Sequence, residues 1–436
     1  MTGKTRIFTT PLIFAFFALV LPMVVGFMKE DSRPDLTGIV ISDEKPELNR
    51  SSWFSGEYQN ARDSYNDDHW AFKEKMVRLN NQFYYDAFNQ IRVKSFVAGK
   101  EDYLFSEGYI FSAFGDDLMP EKKVRDLLYK AKVLQDTLKK KGIDLLLVFA
   151  PGKGAGCREF VEDKYVHPFT NTNHLQYADI SKQLGVNFLD LYGWFDLIKE
   201  QSPYPLFPRF GHHWSYYGEC LAVDTIVQHI EHLHGADLPD FRWQDIEVAD
   251  TARFRDADVL KSMNLLNNPD QRMKLAYPVI EFENDAEKNQ TRVLTVSDSY
   301  WYGPVYMGVP PRCFAGGQFW YYFNKVIPSP IAGQKVEVWE LDLKKEIESN
   351  NVIMLLYSDG NLPVFGSGFI EEAYEMYTSP ETYYERNARE KVINAFAKQI
   401  REAPGLLKRV TTASNEMRIP LDSAIKLEAA RMAGLN

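Results

Sequence analysis

Residues 145–150, Leu-Leu-Leu-Val-Phe-Ala, are apolar without a break, and no other feature limits the fold of this chain as strongly. A strand exposed on one face alternates polar and apolar residues, so an unbroken run of strand length belongs to a sheet covered on both sides. A helical pattern precedes it. Pro120 opens a stripe of Val124, Leu127, Leu128, Ala131, Leu134 and Leu138, and Gly142 closes it. The alternation then repeats, with helical patterns over 174–184, 215–234 and 341–347 and strand patterns over 186–191, 292–296 and 351–357. Apolar strands separated by helices predict an α/β domain with a mainly parallel central sheet between helical layers. Ligands of such sheets bind beyond the carboxyl ends of the strands, here after Ala150, Leu191, Val296 and Tyr357.

Ahead of this domain, residues 7–28 carry no charge; Lys4 and Arg6 precede them, and Lys29, Glu30, Asp31, Arg33 and Asp35 follow. About 20 apolar residues cross a bilayer, and the basic flank places the short N-terminus in the cytoplasm. The run ends without a small-x-small pair, so an uncleaved signal anchor is preferred to a cleaved signal peptide. The expected organisation is a cytoplasmic tip and anchor over 1–28, a tether and N-terminal helix over 29–91, and the sheet domain over 92–367 with an insertion near 236–290. A helical C-terminal extension over 368–436 completes the chain. In the tether region, Phe72, Met76, Leu79, Phe83 and Ala87 recur at helical spacing, with Asp67 or Asp68 available as a cap. Residues 92–105 are extended around Gly99, as in a hairpin. The net charge of −10 argues against a nucleic-acid partner, which needs a concentrated basic surface. Three cysteines are too few for a disulfide framework, although one bridge is compatible with an oxidising compartment.

Two clusters carry candidate chemistry. Ser297-Asp298-Ser299-Tyr300 directly follows the strand pattern ending at Val296. A serine on a tight strand-to-helix turn exposes its hydroxyl beside backbone N–H groups that can stabilise an oxyanion; the same string also suits a plain helix cap. Gly211-His212-His213-Trp214 stands before the helix opening at Ser215. The positive end of the helix dipole disfavours imidazolium there and keeps a neutral base available, which a serine nucleophile needs within hydrogen-bond reach. Loop histidines anchored by Trp214 are the bland alternative. A metal pair is the least favoured, because adjacent side chains point in different directions.

Other strings invite weaker readings. Asp67-Asp68-His69-Trp70 lies near the tether, away from any strand end, and reads as a helix cap. His229, His232 and His234 close a helix, where the dipole favours them as surface residues, and a zinc site would need further ligands. Gly152-Lys153-Gly154-Ala155-Gly156 lacks the Gly-x4-Gly-Lys-Ser/Thr phosphate-loop frame; it reads as a turn lining the site, with Lys153 facing an anionic substrate. Trp301, Tyr302, Trp320, Tyr321 and Tyr322 are assigned in the main to packing, with sugar stacking as the alternative.

Taken in order, Gly99-Lys100 to Leu104-Phe105, Ala150-Pro151-Gly152-Lys153, His213-Trp214, Asp298-Ser299 and Tyr357-Ser358-Asp359-Gly360-Asn361-Leu362 resemble the alginate O-acetyltransferase group of SGNH-hydrolase-like proteins, including their DHHW relatives. The resemblance implies a three-layer SGNH-hydrolase-like sandwich. It makes Ser299 the nucleophile and His213 the base, with Asp298 in the catalytic group and Lys153, His212, Trp214, Tyr300 and Asn361 around the substrate. It further implies O-acetyl transfer to polysaccharide hydroxyls through an acyl-enzyme, outside the cytoplasmic membrane. A polytopic membrane acyltransferase would be the partner, and no cofactor or metal would take part.

Two positions depart from the family pattern. Its aspartate two residues before the histidine falls on Gly211, and its glycine before Asp-Ser falls on Ser297. The triad carboxylate orients the imidazole, and disabling it costs roughly 10⁴ in turnover. Either another carboxylate or a carbonyl takes over that role, or catalysis is weakened or lost. A carbohydrate esterase of the same fold and a degenerate polysaccharide-binding subunit therefore remain as alternatives.

Overall fold

The computed structural model describes residues 45–69, 72–270, 272–283, 287–288 and 290–435, together with residues 16, 20 and 36–38. The anchor expected over 7–28 thus lies, apart from Phe16 and Val20, outside the described residues, as does Trp70. No helix among the described residues is long and apolar enough to cross a membrane.

The strands are β1 (Phe96–Ala98), β2 (Leu104–Ser106), β3 (Asp144–Ala150), β4 (Phe188–Asp190), β5 (Phe241–Ala249), β6 (Leu275–Phe282), β7 (Val293–Ser297), β8 (Phe319–Tyr321), β9 (Lys325–Ile327) and β10 (Val352–Ser358). A six-stranded sheet in the order β4-β3-β10-β7-β8-β9 forms the centre. Its strands are parallel except β9, which returns antiparallel to β8. Beside it stand the β1–β2 hairpin and an antiparallel β5–β6 pair.

Successive side chains of a strand point to opposite faces, and the two sides of the sheet divide accordingly. Leu146, Val148, Ala150, Met354 and Leu356 join one core with the helices Glu107–Phe114, Leu191–Ile198 and Tyr216–His234. Leu145, Leu147, Phe149, Ile353, Leu355 and Tyr357 join the other with Glu121–Lys139, Asn173–Leu184 and Phe369–Thr378. Every residue of β3 and β10 is buried, so the unbroken apolar runs do mark strands covered on both faces.

The insertion near 236–290 holds more order than its pattern suggested. It contributes β5, β6 and a short helix, Asp258–Ser262, whose Val259 and Leu260 form a satellite core with Phe210, Met263 and Leu265. Of the aromatic cluster, Trp301 and Trp320 are 1% and 0% exposed and belong to the two cores. Cys157, Cys220 and Cys313 are separate buried thiols, so no bridge forms among them. The helices Pro380–Glu402, Pro404–Met417 and Leu421–Met432 share a small core of their own and are pinned to the sheet domain by the Lys398–Glu340 ion pair and by Lys391 donating to the Leu341 carbonyl.

The N-terminal helix forms where the apolar spacing predicts one. It spans Lys73–Phe88, but Met76, Leu79 and Phe83 face outward while Asn81 on the opposite side is buried. Asp67 and Asp68 do not cap it, because they end the preceding helix, Glu57–Asp68, and Phe72 holds the cap position.

Leu355 lies at the middle of β10, fully buried between neighbouring strands. Leu355→Ala should cost about 2–5 kcal/mol, the range for buried leucine truncations that leave a cavity. Urea unfolding measures this as a lowered midpoint at unchanged slope.

Candidate active site

The carboxyl ends of β3, β7 and β10 converge, and the turn after β7 carries Ser299. Asp298 sets that turn. Its Oδ1 accepts the Tyr300 N–H at 2.9 Å, and its Oδ2 accepts the Ser358 N–H at 2.9 Å, the Ser358 hydroxyl at 2.7 Å and Asn361 Nδ2 at 2.9 Å. The carboxylate is 0% exposed and is spent on joining the serine turn to the end of β10. Asp298 and Asn361 are therefore positioning groups, and neither is bonded to His213. Tyr300 donates its hydroxyl to the Pro151 carbonyl at 3.0 Å, is fully buried, and packs beneath Trp214 and His213 at ring distances of 4.7 and 5.0 Å.

The histidine comes from the opposite wall. Ser215 caps the helix Tyr216–His234 by accepting the Gly218 N–H, and the loop before it is held by Ser215 N–H on the Leu206 carbonyl. Lys153 grips the same loop, its Nζ donating to the carbonyls of Arg209 at 2.7 Å and Gly211 at 2.9 Å. At 1% exposure Lys153 does not face a substrate: its ammonium is turned into the protein to hold the histidine loop, and burial brings it down to about 7. His212 stacks face to face on Tyr109 at 4.6 Å, and burial pushes its imidazole down to about 3. Trp214 is 3% exposed, its indole N–H donating to Glu219 Oε1 at 3.0 Å.

These supports bring His213 Nε2 to 2.9 Å from Ser299 Oγ. That is within the separation proton transfer requires. The other ring nitrogen meets a carboxylate that local sequence did not mark. Asp258 Oδ2 stands 3.3 Å from His213 Nδ1, while its Oδ1 accepts the His212 N–H at 2.9 Å. One carboxylate thus fixes both the backbone and the ring of the histidine loop. Burial works to raise the Asp258 pKa, but the hydrogen bond and charge of His213 outweigh it and hold the carboxyl below its ordinary value. Burial, then the Arg255 guanidinium, lowers the His213 imidazole against the upward pull of Asp258.

Gly211 explains why the carboxylate comes from a distance. A Cβ built there would lie 2.6 Å from Pro208 Cγ and 3.0 Å from the Arg255 carbonyl oxygen. The segment leading to Asp258 occupies the space a side chain at 211 would need. Ser297, the other departure, ends β7 with its side chain fully buried.

Arg255 was equally invisible in the sequence. Its Nη2 donates to the Ser299 carbonyl at 3.1 Å, and its Nη1 lies 4.0 Å from Glu219 Oε1. Burial raises Glu219 to about 7. A cavity of about 380 Å³ opens beside His213, walled by Trp214, Tyr216, Phe254, Arg255 and Tyr306. The remaining histidine strings take no part: His69 caps a helix end, and His234 pairs with the buried Asp144 at 2.9 Å. Among the described residues no group of three or more histidine, cysteine or acidic side chains could hold a metal ion.

With this geometry in place, residues 96–293 match the family model described as SGNH hydrolase-like domain, acetyltransferase AlgX. The chain resembles the alginate O-acetyltransferase-like group, as its motifs implied. The O-acetyltransferase domain of Pseudomonas putida AlgJ is similar at 16% identity over 64% of this chain and 99% of that one, with a TM-score of 0.42. Bacillus cereus PatB1, solved with a sulfonyl adduct, is similar at 12% identity over 61% and 97% of the two chains (TM-score 0.41), and Pseudomonas aeruginosa AlgX at 13% over 63% and 67% (TM-score 0.40). No curated protein matches the chain in sequence.

Restoring the family aspartate by Gly211→Asp should lower stability and should not raise activity, because the position it would fill is taken. Thermal unfolding and turnover of the variant, compared with the parent, measure both effects.

Proposed function

We propose that this chain is an extracytoplasmic O-acyltransferase, anchored in the cytoplasmic membrane through residues 7–28, that moves acetyl groups onto polysaccharide hydroxyls. The observation that carries the reading is the continuous contact Ser299–His213–Asp258 at 2.9 and 3.3 Å. In the first half-reaction Ser299 Oγ attacks the carbonyl carbon of an acetyl ester while its proton passes to His213 Nε2. The Ser299 N–H is the oxyanion donor this turn offers, since the Asp298 and Tyr300 N–H groups are held by the Leu356 carbonyl and the Asp298 carboxylate. The tetrahedral adduct collapses, the donor's C–O bond breaks, and His213 returns the proton to the departing oxygen. In the second half a sugar hydroxyl loses its proton to His213 and attacks the acetyl-serine; the acetyl–Oγ bond breaks and His213 returns the proton to Ser299 Oγ. Asp258 holds the tautomer with the Nδ1 proton and steadies the transient imidazolium.

The cavity beside His213 suits an acceptor sugar, whose ring can lie on the aromatic walls and bring a hydroxyl to the imidazole. A membrane acyltransferase partner would deliver the acetyl group from the cytoplasmic side. The esterase alternative uses the same first half-reaction with water in the second. The Asp258 carboxylate on the imidazole supports catalysis over the degenerate-subunit alternative.

A fluorophosphonate probe and an activated acetyl ester with an oligosaccharide acceptor test the reading together. Labelling and turnover should vanish in Ser299→Ala and in His213→Ala, and the acetyl group should appear on the oligosaccharide rather than only as acetate. Labelling that survives Ser299→Ala would exclude the nucleophile. Asp258→Asn should lower turnover by roughly 10³–10⁴, with folding intact by circular dichroism.

The pH dependence follows from the direction of the His213 shift. The base works when neutral, and its imidazole is held below the ordinary histidine value of about 6.5. Activity should therefore persist as pH falls past about 6.5 and decline only at lower pH. Arg255→Gln removes a nearby cation and should move that acid limb upward. A limb that stays in place would show that Arg255 does not act on His213 through its charge.

A further inference from the structure

We propose that the helix Lys73–Phe88 is a lipid-docking element whose apolar face seats on the bilayer surface. The helix is packed with its polar side inward. Asn81 is buried and its Nδ2 donates to the Met263 carbonyl at 2.7 Å; Arg78 Nη1 donates to the Leu265 carbonyl at 3.2 Å. Gln82 Oε1 accepts the Asn267 N–H at 3.0 Å, and the Tyr85 hydroxyl donates to Asp102 Oδ1 at 3.2 Å. These bonds fix the rotation of the helix about its own axis. Rolling the apolar side inward would break all of them.

The outward side carries Met76, Leu79 and Phe83, which follow i, i+3, i+7 spacing and are 47%, 51% and 58% exposed. At the helix end Phe88 is 57% exposed, its ring edge-on to Phe83 at 5.7 Å. Before the preceding helix, Glu57–Asp68, Trp53 and Phe54 are 49% and 78% exposed. Single apolar residues scattered on a surface need no explanation, but a helical stripe held outward by a polar grip is a binding face.

The occupant is chosen by the rest of the chain. On the membrane reading given above, which this inference rests on, the uncharged residues 7–28 lie in the bilayer, and residues 29–72 tie the helix to it. Tethering raises the effective concentration of the surface at the helix, so a stripe of modest area suffices. Tryptophan and phenylalanine suit the boundary between headgroups and acyl chains, and an interfacial helix buries such a face while its charged side stays wet. The exposed Lys75 beside Met76 adds a cation for lipid phosphate.

The test uses the full-length protein with an environment-sensitive fluorophore on Leu79→Cys or Phe83→Cys, since the three native cysteines are buried and escape labelling. The control site is Lys140→Cys, at the entry end of β3. Each protein is mixed with excess phosphatidylcholine–phosphatidylglycerol vesicles carrying a nitroxide in the acyl region. Labels at 79 and 83 should be quenched severalfold more than the label at 140, and Met76→Asp/Phe83→Asp should abolish the excess at 79. Flotation of the Met76→Asp/Phe83→Asp protein, which cannot dock, separately reads the anchor. Flotation with equal quenching at 79 and 140 would overturn docking while leaving the anchor intact. Excess quenching in the parent with no flotation of the aspartate variant would uphold docking and reject the anchor, and neither signal would reject both. Copy-to-copy crosslinking through Leu79→Cys without lipid quenching would assign the face to a second copy and overturn the proposal.

Discussion

The contact of Asp258 with the histidine loop is the interaction on which the site depends. Ser299 and His213 sit on elements that the sheet itself positions, but a buried imidazole without a fixed partner can rotate or adopt the wrong tautomer. Asp258 removes both freedoms, because the same carboxylate that faces Nδ1 also accepts the backbone N–H of His212. Residues of the segment 236–290 thus supply the carboxylate that meets the imidazole. Its short helix is held by Phe210 and Met263, and the far end of that segment is gripped by Asn81 and Arg78 of the N-terminal helix. A disturbance in the tether region therefore has a short physical route to the orientation of His213.

Charges around the site are set against one another. Arg255 lowers His213 and Asp258 raises it, so the imidazole is oriented by an anion without being driven to permanent protonation. Lys153 shows the opposite compromise. Its amine is brought down to about 7 by burial, yet its contacts with two carbonyls are hydrogen bonds that survive loss of the charge. A buried cation without a carboxylate partner would be expensive. A lysine that can release its proton is a cheaper clamp for a loop that must keep one shape.

The sheet was legible in the sequence because β3 and β10 are apolar on both faces and β7 ends in a recognisable Asp-Ser turn. The Ser299 and His213 positions were legible for the same reason, since each stands where a regular element begins or ends. Strands β8 and β9 escaped because three residues are too few to set a period, and their aromatic residues read equally well as packing. Asp258 escaped for a deeper reason. Nothing local separates it from Asp245, Asp250 or Asp256; only the fold of the insertion brings this one to the imidazole. The N-terminal helix was found by its period, but period gives a face and not the direction in which that face points. Here four polar contacts chose the direction.

The glycine at 211 and the distant carboxylate are one structural fact seen from two sides. A local Asp-x-His motif needs room for a side chain two residues before the base. In this fold Pro208 and the backbone of Arg255 and Asp256 press on Gly211 so closely that its Cα is all the space allows. The pressing segment is the one that ends in Asp258, so the approach that excludes a carboxylate at 211 also delivers one at 258. A chain that lost the local aspartate without this close approach would have left its imidazole unoriented. The close packing at Gly211 and the carboxylate at Asp258 therefore go together: the backbone that leaves no room for a side chain at 211 is the backbone that carries Asp258 to the imidazole.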